Sequence, residues 1–193
     1  MARKVLVILG HPRKNSLCAA LAAAYRRGAV QAGAEVEDLL LGDLDFDPVL
    51  RSADPHQQPL EDDLTHAQEL ITWADHLVIV YPSWWGTAPA LLKGFFDRVF
   101  VSGFAYRYRE TSAWWDRLLA GRSARLLVTM DSPSLFDAIV YRRAGVNAVR
   151  RAVLGFCGVK PVRVTVFGRV RHSTLATREA WVREAGALGA AVR

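Results

Sequence analysis

Short, continuous apolar runs alternate along the chain with longer stretches in which apolar residues return every three or four positions. KVLVILG (4–10), AEVEDLLLG (34–42), HLVIVYP (76–82), SARLLVTM (123–130) and KPVRVTVFG (160–168) have the length and branched-residue content of strands. The first and third are apolar through their centres, which suits strands covered on both faces of a parallel sheet. Between them lie helical patterns. NSLCAALAAAYRRGAVQAG (15–33) gathers Leu17, Ala20, Leu21, Ala24 and Tyr25 on one face, with Ser16 placed as an N-cap and Gly33 as the terminating glycine. LEDDLTHAQELITWA (60–74) opens with acids that suit the helix dipole. A helix is expected from about Ala88 to Val101, with Pro89 in its first turn. A helical stretch covers 138–156, and TLATREAWVREAGALGAAVR closes the chain.

Strands alternating with helices predict an α/β fold: a single domain over 1–193 with a doubly wound five-stranded parallel sheet, order 2-1-3-4-5, and helices on both faces. Residues 43–59 read as a loop rich in turn formers and 102–121 as an aromatic-rich connection. The strand order puts a topological switch between the first and third strands. Ligands of such sheets bind outside the carboxyl ends of the strands at that point. The loops after strands 1, 3 and 4 are therefore where chemistry is expected.

Composition narrows the classes. The net charge is +6, but the arginines are scattered with no basic run, so they read as a solvated surface and no nucleic-acid partner is expected. Cys18 and Cys157 follow no metal or redox spacing and read as small buried hydrophobes; no metal site is expected. The uncharged stretch from Leu77 to Leu92 is shorter than the ~20 residues of a spanning helix. Pro82, Gly86 and Pro89 also interrupt it. The chain enters a strand pattern at once, so no secretory leader is expected. No membrane span and a cytoplasmic location are expected.

The first loop, GHPRKNSL (10–17), joins a strand to a helix N-terminus whose free N–H groups can hold an anion. Ser16, Asn15, Arg13 and Lys14 add to that a hydroxyl, an amide and positive charge. A phosphate site and an ordinary capped turn are equally good readings of this loop alone. GxGxxG and GxxxxGK[ST] are both absent, which excludes the usual dinucleotide fingerprint and the P-loop. The loop after strand 3, PSWWGTA (82–88), places Trp84 and Trp85 where they can wall a flat ring such as an isoalloxazine, with at least one of the two packing into the core. On the following helix Leu91, Leu92, Phe95, Phe96, Val99 and Phe100 exceed one core stripe, which points to a second buried side and a subunit interface.

The run YPSWWGTAPALLKGFFDRVF (81–100) resembles the signature of the flavodoxin-like NAD(P)H:quinone oxidoreductases, which include the mammalian DT-diaphorases and bacterial quinone reductases. Pro82, Trp85, Pro89, Ala90, Leu92, Lys93, Gly94, Asp97, Arg98, Val99 and Phe100 match its pattern. GHPRKNS, DLDFDPVLRSAD and GFAYRY resemble further family segments, and the likeness is weakest over 131–156. The resemblance implies that His11, Asn15, Ser16 and Leu17 meet a flavin's phosphates. It implies that Pro82, Ser83, Trp84, Trp85 and Gly86 pack the isoalloxazine. Thr129, Met130, Asp131 and Ser132 would meet the ring's polar edge, although they depart from the Thr-Thr-Gly-Gly of several relatives; Asp131 reads as a turn or capping aspartate. Tyr106 and Tyr108 match catalytic-site tyrosines that close over the substrate from the partner chain of a homodimer. The Tyr–His pair of the mammalian enzymes has no match, since SLFDAIVYRRAG holds no histidine. The implied activity is hydride transfer from NAD(P)H through flavin N5 to a quinone-like acceptor, in two-electron, ping-pong fashion, with FAD as cofactor and FMN as the alternative. Two other readings are a flavin- or nucleotide-sensing regulatory subunit of a transporter or other partner, and a flavodoxin-like fold without flavin.

Overall fold

The computed structural model describes residues 2–52, 54 and 57–192, so Ala53 of the DLDFDPVLRSAD stretch lies outside the described residues. The order is β1 (Lys4–Leu9), α1 (Leu17–Gln31), β2 (Glu35–Leu40), α2 (Asp62–Trp73), β3 (His76–Pro82), α3 (Ala90–Val99), β4 (Tyr106–Tyr108), β5 (Trp115–Arg117), β6 (Ser123–Thr129), α4 (Ser134–Ile139), α5 (Ala144–Asn147), a π-helical run (Ala148–Gly155), β7 (Val162–Phe167), a short 3₁₀ turn (Val170–His172) and α6 (Leu175–Ala190). The main sheet runs β2-β1-β3-β6-β7, parallel throughout. This is the expected permutation, with β4 and β5 set apart as a small antiparallel hairpin inside the segment read as a plain connection.

Two apolar layers enclose the sheet. One joins Leu6, Ile8, Leu77 and Ile79 to Leu64, Ile71, Leu92 and Phe95 of α2 and α3. The other joins Val5, Val7, Val78 and Val80 to Leu21, Tyr25 and Ala185 of α1 and α6. Alternate residues of β1 and β3 thus serve opposite layers, as the period of a strand requires. Ser16 caps α1 by accepting the Ala19 amide (3.2 Å), and Gly33 ends it at φ +86°. At the far end of β3, His76 is buried with Nδ1 2.8 Å from Ser123 Oγ and Nε2 3.2 Å from Tyr25 Oη.

The apolar surplus of α3 is absorbed within the chain. Phe95, Phe96, Val99 and Phe100 are buried, with Phe46 of the 43–59 loop edge-on to Phe95. The helix is covered on two sides as expected, but the second cover is the chain's own loop. One side chain holds that loop. Arg98, at the core end of α3, gives a forked pair of hydrogen bonds to Glu61 (3.1 and 2.8 Å) and donates to the Asp47 and Pro59 carbonyls. Such a fork satisfies a buried guanidinium as a lysine could not.

The single helix expected over 138–156 begins earlier and is broken. Arg142 and Arg143 adopt φ of +50° and +53°, which turns the chain between α4 and α5. Beyond the break the helix widens, so that the Phe156 amide reaches the Arg151 carbonyl five residues back (3.0 Å). The turn sets Gly145 against the backbone of Gly86 and Thr87 so closely that a Cβ there would collide with both. Nothing in the hydrophobic period marks this approach.

Candidate functional site

At the carboxyl end of the sheet, β1 hands over to its loop through the Gly10 amide, which bonds the Val80 carbonyl (2.8 Å). His11 is buried at the loop's root, and its Nδ1 accepts the Arg13 amide (2.9 Å). The proton of the neutral ring therefore sits on Nε2. Burial first, and the Arg13 charge second, lower the His11 pKa, which favours that neutral form. Ser16 Oγ donates to the Arg13 carbonyl (3.0 Å) and accepts the Ala19 amide, closing the loop onto the helix. The Ala20 amide is the first to find a helical carbonyl, that of Ser16. The N–H groups of Leu17 and Cys18 have no such acceptor. Both residues line a cleft of about 370 Å³, with His11, Arg13, Asn15 and Ser16 around them.

The loop after β3 forms a tight hairpin. The amides and carbonyls of Trp84 and Thr87 exchange hydrogen bonds of 2.9 and 3.0 Å around Trp85 (φ +53°) and Gly86 (φ +75°). Two successive left-handed residues make a type I′ turn. Glycine takes that conformation freely, whereas tryptophan pays about 1–2 kcal/mol for it. The turn also corrects the expectation that at least one tryptophan enters the core: it projects both outward. Trp84 is half-exposed, with its ring edge-on to His11 (centroids 5.5 Å, 73°), and Trp85 is fully exposed. A bulky residue held in a strained conformation and left in water is the kind of feature that clusters at ligand clamps and switch regions.

The loop after β6 closes the cleft. Thr129 gives its carbonyl to the Ser83 amide (2.7 Å), and its hydroxyl lies 3.3 Å from Cys18 Sγ, tying three elements together beneath the floor. Burial raises the Cys18 thiol to about 11 and the Cys157 thiol to about 12, so both stay protonated and inert. Asp131 accepts the Arg171 amide (2.9 Å), the turn-capping role expected of it.

Pro82, Ser83, Trp84, Thr129, Met130 and Asp131 line the first cleft together with the β1 loop. Ser83, Trp84, Met130 and Asp131 are shared with a second lobe of about 710 Å³, which adds Trp85, Gly86 and Ser132. All the expected cofactor-loop residues thus meet in one two-lobed depression at the switch point. Tyr106 and Tyr108 line neither lobe. They sit on the hairpin, where Tyr106 packs edge-on to Phe156 and Tyr108 (centroids 5.0 and 5.2 Å). Several lining residues carried no sequence signal. Arg178 of α6, braced by bonds to Ser173 Oγ (2.8 Å) and the Val170 carbonyl (3.2 Å), enters the first lobe. Asp137 and Tyr141 enter the second, brought there by the break after α4. Behind Asp137, Tyr81 has a buried hydroxyl with no hydrogen-bond partner among the described residues; burial, then the Asp137 charge, raises its pKa.

A parallel sheet with an open cleft at its switch point, beside the first turn of α1, defines the class as a doubly wound α/β protein. Comparison sharpens this. A family model described as "Flavodoxin-like fold" matches residues 3–188. NAD(P)H dehydrogenase (quinone) 1 of Cavia porcellus is 32% identical, covering 89% of this chain and 70% of its own. The solved structure of Smu.1420 from Streptococcus mutans superposes with TM-score 0.87 at 28% identity, covering 98% and 100% of the two chains. The NAD(P)H:quinone oxidoreductase of Methanothermobacter marburgensis superposes with TM-score 0.81 at 26% identity over the whole of both. With some other curated relatives the match is shorter, covering 66% and 54% of this chain and 57% and 56% of theirs. The chain belongs to the flavodoxin-like family of NAD(P)H:quinone oxidoreductases and is, with them, an oxidoreductase. Among its described residues no helix is long and apolar enough to cross a membrane.

Proposed function

We propose that the two-lobed cleft binds a flavin, FAD in preference to FMN, and that the protein passes a hydride from NAD(P)H to a quinone-like acceptor. The observation that carries this is the convergence of three loops, from β1, β3 and β6, on one depression with different chemistry at its two ends. The first lobe offers Arg13, Arg178, the Ser16 hydroxyl, the His11 Nε2–H and the first amides of α1, a donor set for phosphate oxygens. The second offers the indoles of Trp84 and Trp85, Met130 and the turn of Gly86, a surface for a flat apolar ring with a polar rim. The residues therefore suit a flavin at both ends. A bound flavin supplies the two-electron hydride chemistry.

The chain's own residues bind, orient and exclude. Trp84 and the Pro82–Gly86 backbone would hold the ring, and His11, as a neutral donor, would offer a hydrogen bond in the first lobe without adding charge. Donor and acceptor take turns on one exposed face, which gives ping-pong kinetics. Trp85, Phe136, Ile139 and Tyr141, all exposed in one chain, form an open apolar margin. A second copy covers that margin in a homodimer and brings its Tyr106 and Tyr108 over the acceptor. The decisive experiment is colour. Purified protein given FAD or FMN should absorb near ~450 nm, bleach with NAD(P)H and recover with a quinone. Protein that stays colourless with both flavins would overturn the proposal, and mass analysis of the released cofactor decides between them.

A further inference from the structure

The arginines that are scattered in sequence are gathered in space. Arg125 of β6, Arg143, Arg150 and Arg151 of the segment before β7, Lys160 and Arg163 line one open groove of about 1060 Å³. No aspartate or glutamate lines it, and none of these six cations makes an ion pair among the described residues. Like charges brought together without a counter-charge repel, and an anion relieves that repulsion. The Arg125 Nε is buried with no hydrogen-bond partner among the described residues.

The groove opens at the amino end of β7, the outermost strand of the sheet, where Val162, Arg163 and Val164 line it. That strand pairs with β6 on one side only, so its outer backbone groups are left without a strand partner among the described residues. Six residues of strand give an edge of about 20 Å. Val159, Val162 and Val164 form an apolar floor between the cations. Each feature selects the occupant. A bilayer surface meets a flat or convex patch rather than a groove. A single nucleic-acid strand calls for aromatic platforms, and none lines the groove. A free sheet edge with alternating charge and apolar floor suits an added strand.

We infer that the edge of β7 is a docking site for an extended acidic segment of another protein, which adds a parallel or antiparallel strand and lays its carboxylates against Arg150, Arg151 and Arg163. This goes beyond the oxidoreductase reading and does not depend on it, since the groove shares no residue with either lobe of the cofactor cleft.

The probe is a fluorescent peptide of about ten residues with glutamate and valine alternating, followed by anisotropy against the full chain. Saturable binding that weakens with added salt is expected, together with greater hydrogen-exchange protection of the Val164 and Val166 amides, which face away from β6. Arg150→Glu/Arg151→Glu, two exposed positions, should weaken binding by about tenfold or more with the thermal midpoint retained. The same peptide N-methylated at alternate residues, unchanged in charge, should lose affinity by a similar factor. The inference is overturned if the peptide does not bind, if the double variant binds as well as the parent, or if the N-methylated peptide binds equally. Tighter binding of oligothymidylate or of phosphatidylserine vesicles would overturn it too.

Discussion

His76 is a base held where its charged form is unwelcome. Burial, with Arg3, Arg125 and Arg163 adding repulsion, pulls its pKa down to about 3, while Tyr25 and Ser123 hold the neutral ring. On unfolding it returns to its ordinary value near 6.5. Between those two values the unfolded chain carries the additional proton. Stability therefore rises with pH through the window and is lost as pH falls below about 6.5, by up to about 1.4 kcal/mol per unit. Urea melts of the parent and His76→Gln at pH about 7, 5.5 and 4.5 isolate the effect, because other titrating groups are common to both. The variant should lose part of the slope. Parallel slopes would mean that His76 is charged in the fold.

The segment from α4 to the π-helical run depends on one close approach. Replacing a helical glycine by alanine ordinarily stabilises by about 1 kcal/mol. At Gly145 the new methyl meets the Gly86 carbonyl, so overpacking of about 1–3 kcal/mol opposes and exceeds that gain. Gly145→Ala should melt earlier and hold flavin more weakly, because relief of the clash displaces the Trp84–Thr87 turn; calorimetry and a flavin titration read the two effects. A more stable variant with unchanged affinity would show that α5 and the turn are not coupled. The strands and α1 were legible because period and capping act locally. Ser16, Gly33 and the apolar centres of β1 and β3 need no distant partner to declare themselves. The break at Arg142–Arg143 was not legible, since neither residue type favours a left-handed backbone and only the packing of Gly145 on Gly86 explains it. The surplus on α3 was read correctly as two buried sides. What covers the second side, the loop pinned by Arg98, is a tertiary fact.

At the scale of the molecule, the site residues divide by distance from the switch point. Those on the β1, β3 and β6 loops could be placed because topology puts the ends of those strands together. Arg178 and Asp137 could not, because α6 and α4 reach the cleft by packing rather than by strand order. Tyr106 and Tyr108 lie apart from their own chain's cleft, so their assignment rests on a second copy. Ile139 is two-thirds exposed on the margin that such a copy would cover. Ile139→Glu would place a charge in that contact, and a penalty of about 2 kcal/mol weakens self-association roughly thirtyfold. Sedimentation equilibrium of parent and variant measures this. A parent that stays monomeric at every concentration removes the shared-site reading.

The hairpin that holds Trp85 outward also gives the molecule a reporter of its own. An indole bathed in water emits at longer wavelength than one enclosed by protein or stacked on a ligand. Trp85 stands fully in solvent and its neighbour half so, at the mouth of the cleft. Whatever closes over that mouth, cofactor or second copy, therefore changes the colour of the protein's ultraviolet fluorescence. The turn that strains the backbone makes occupancy of the site visible without a label.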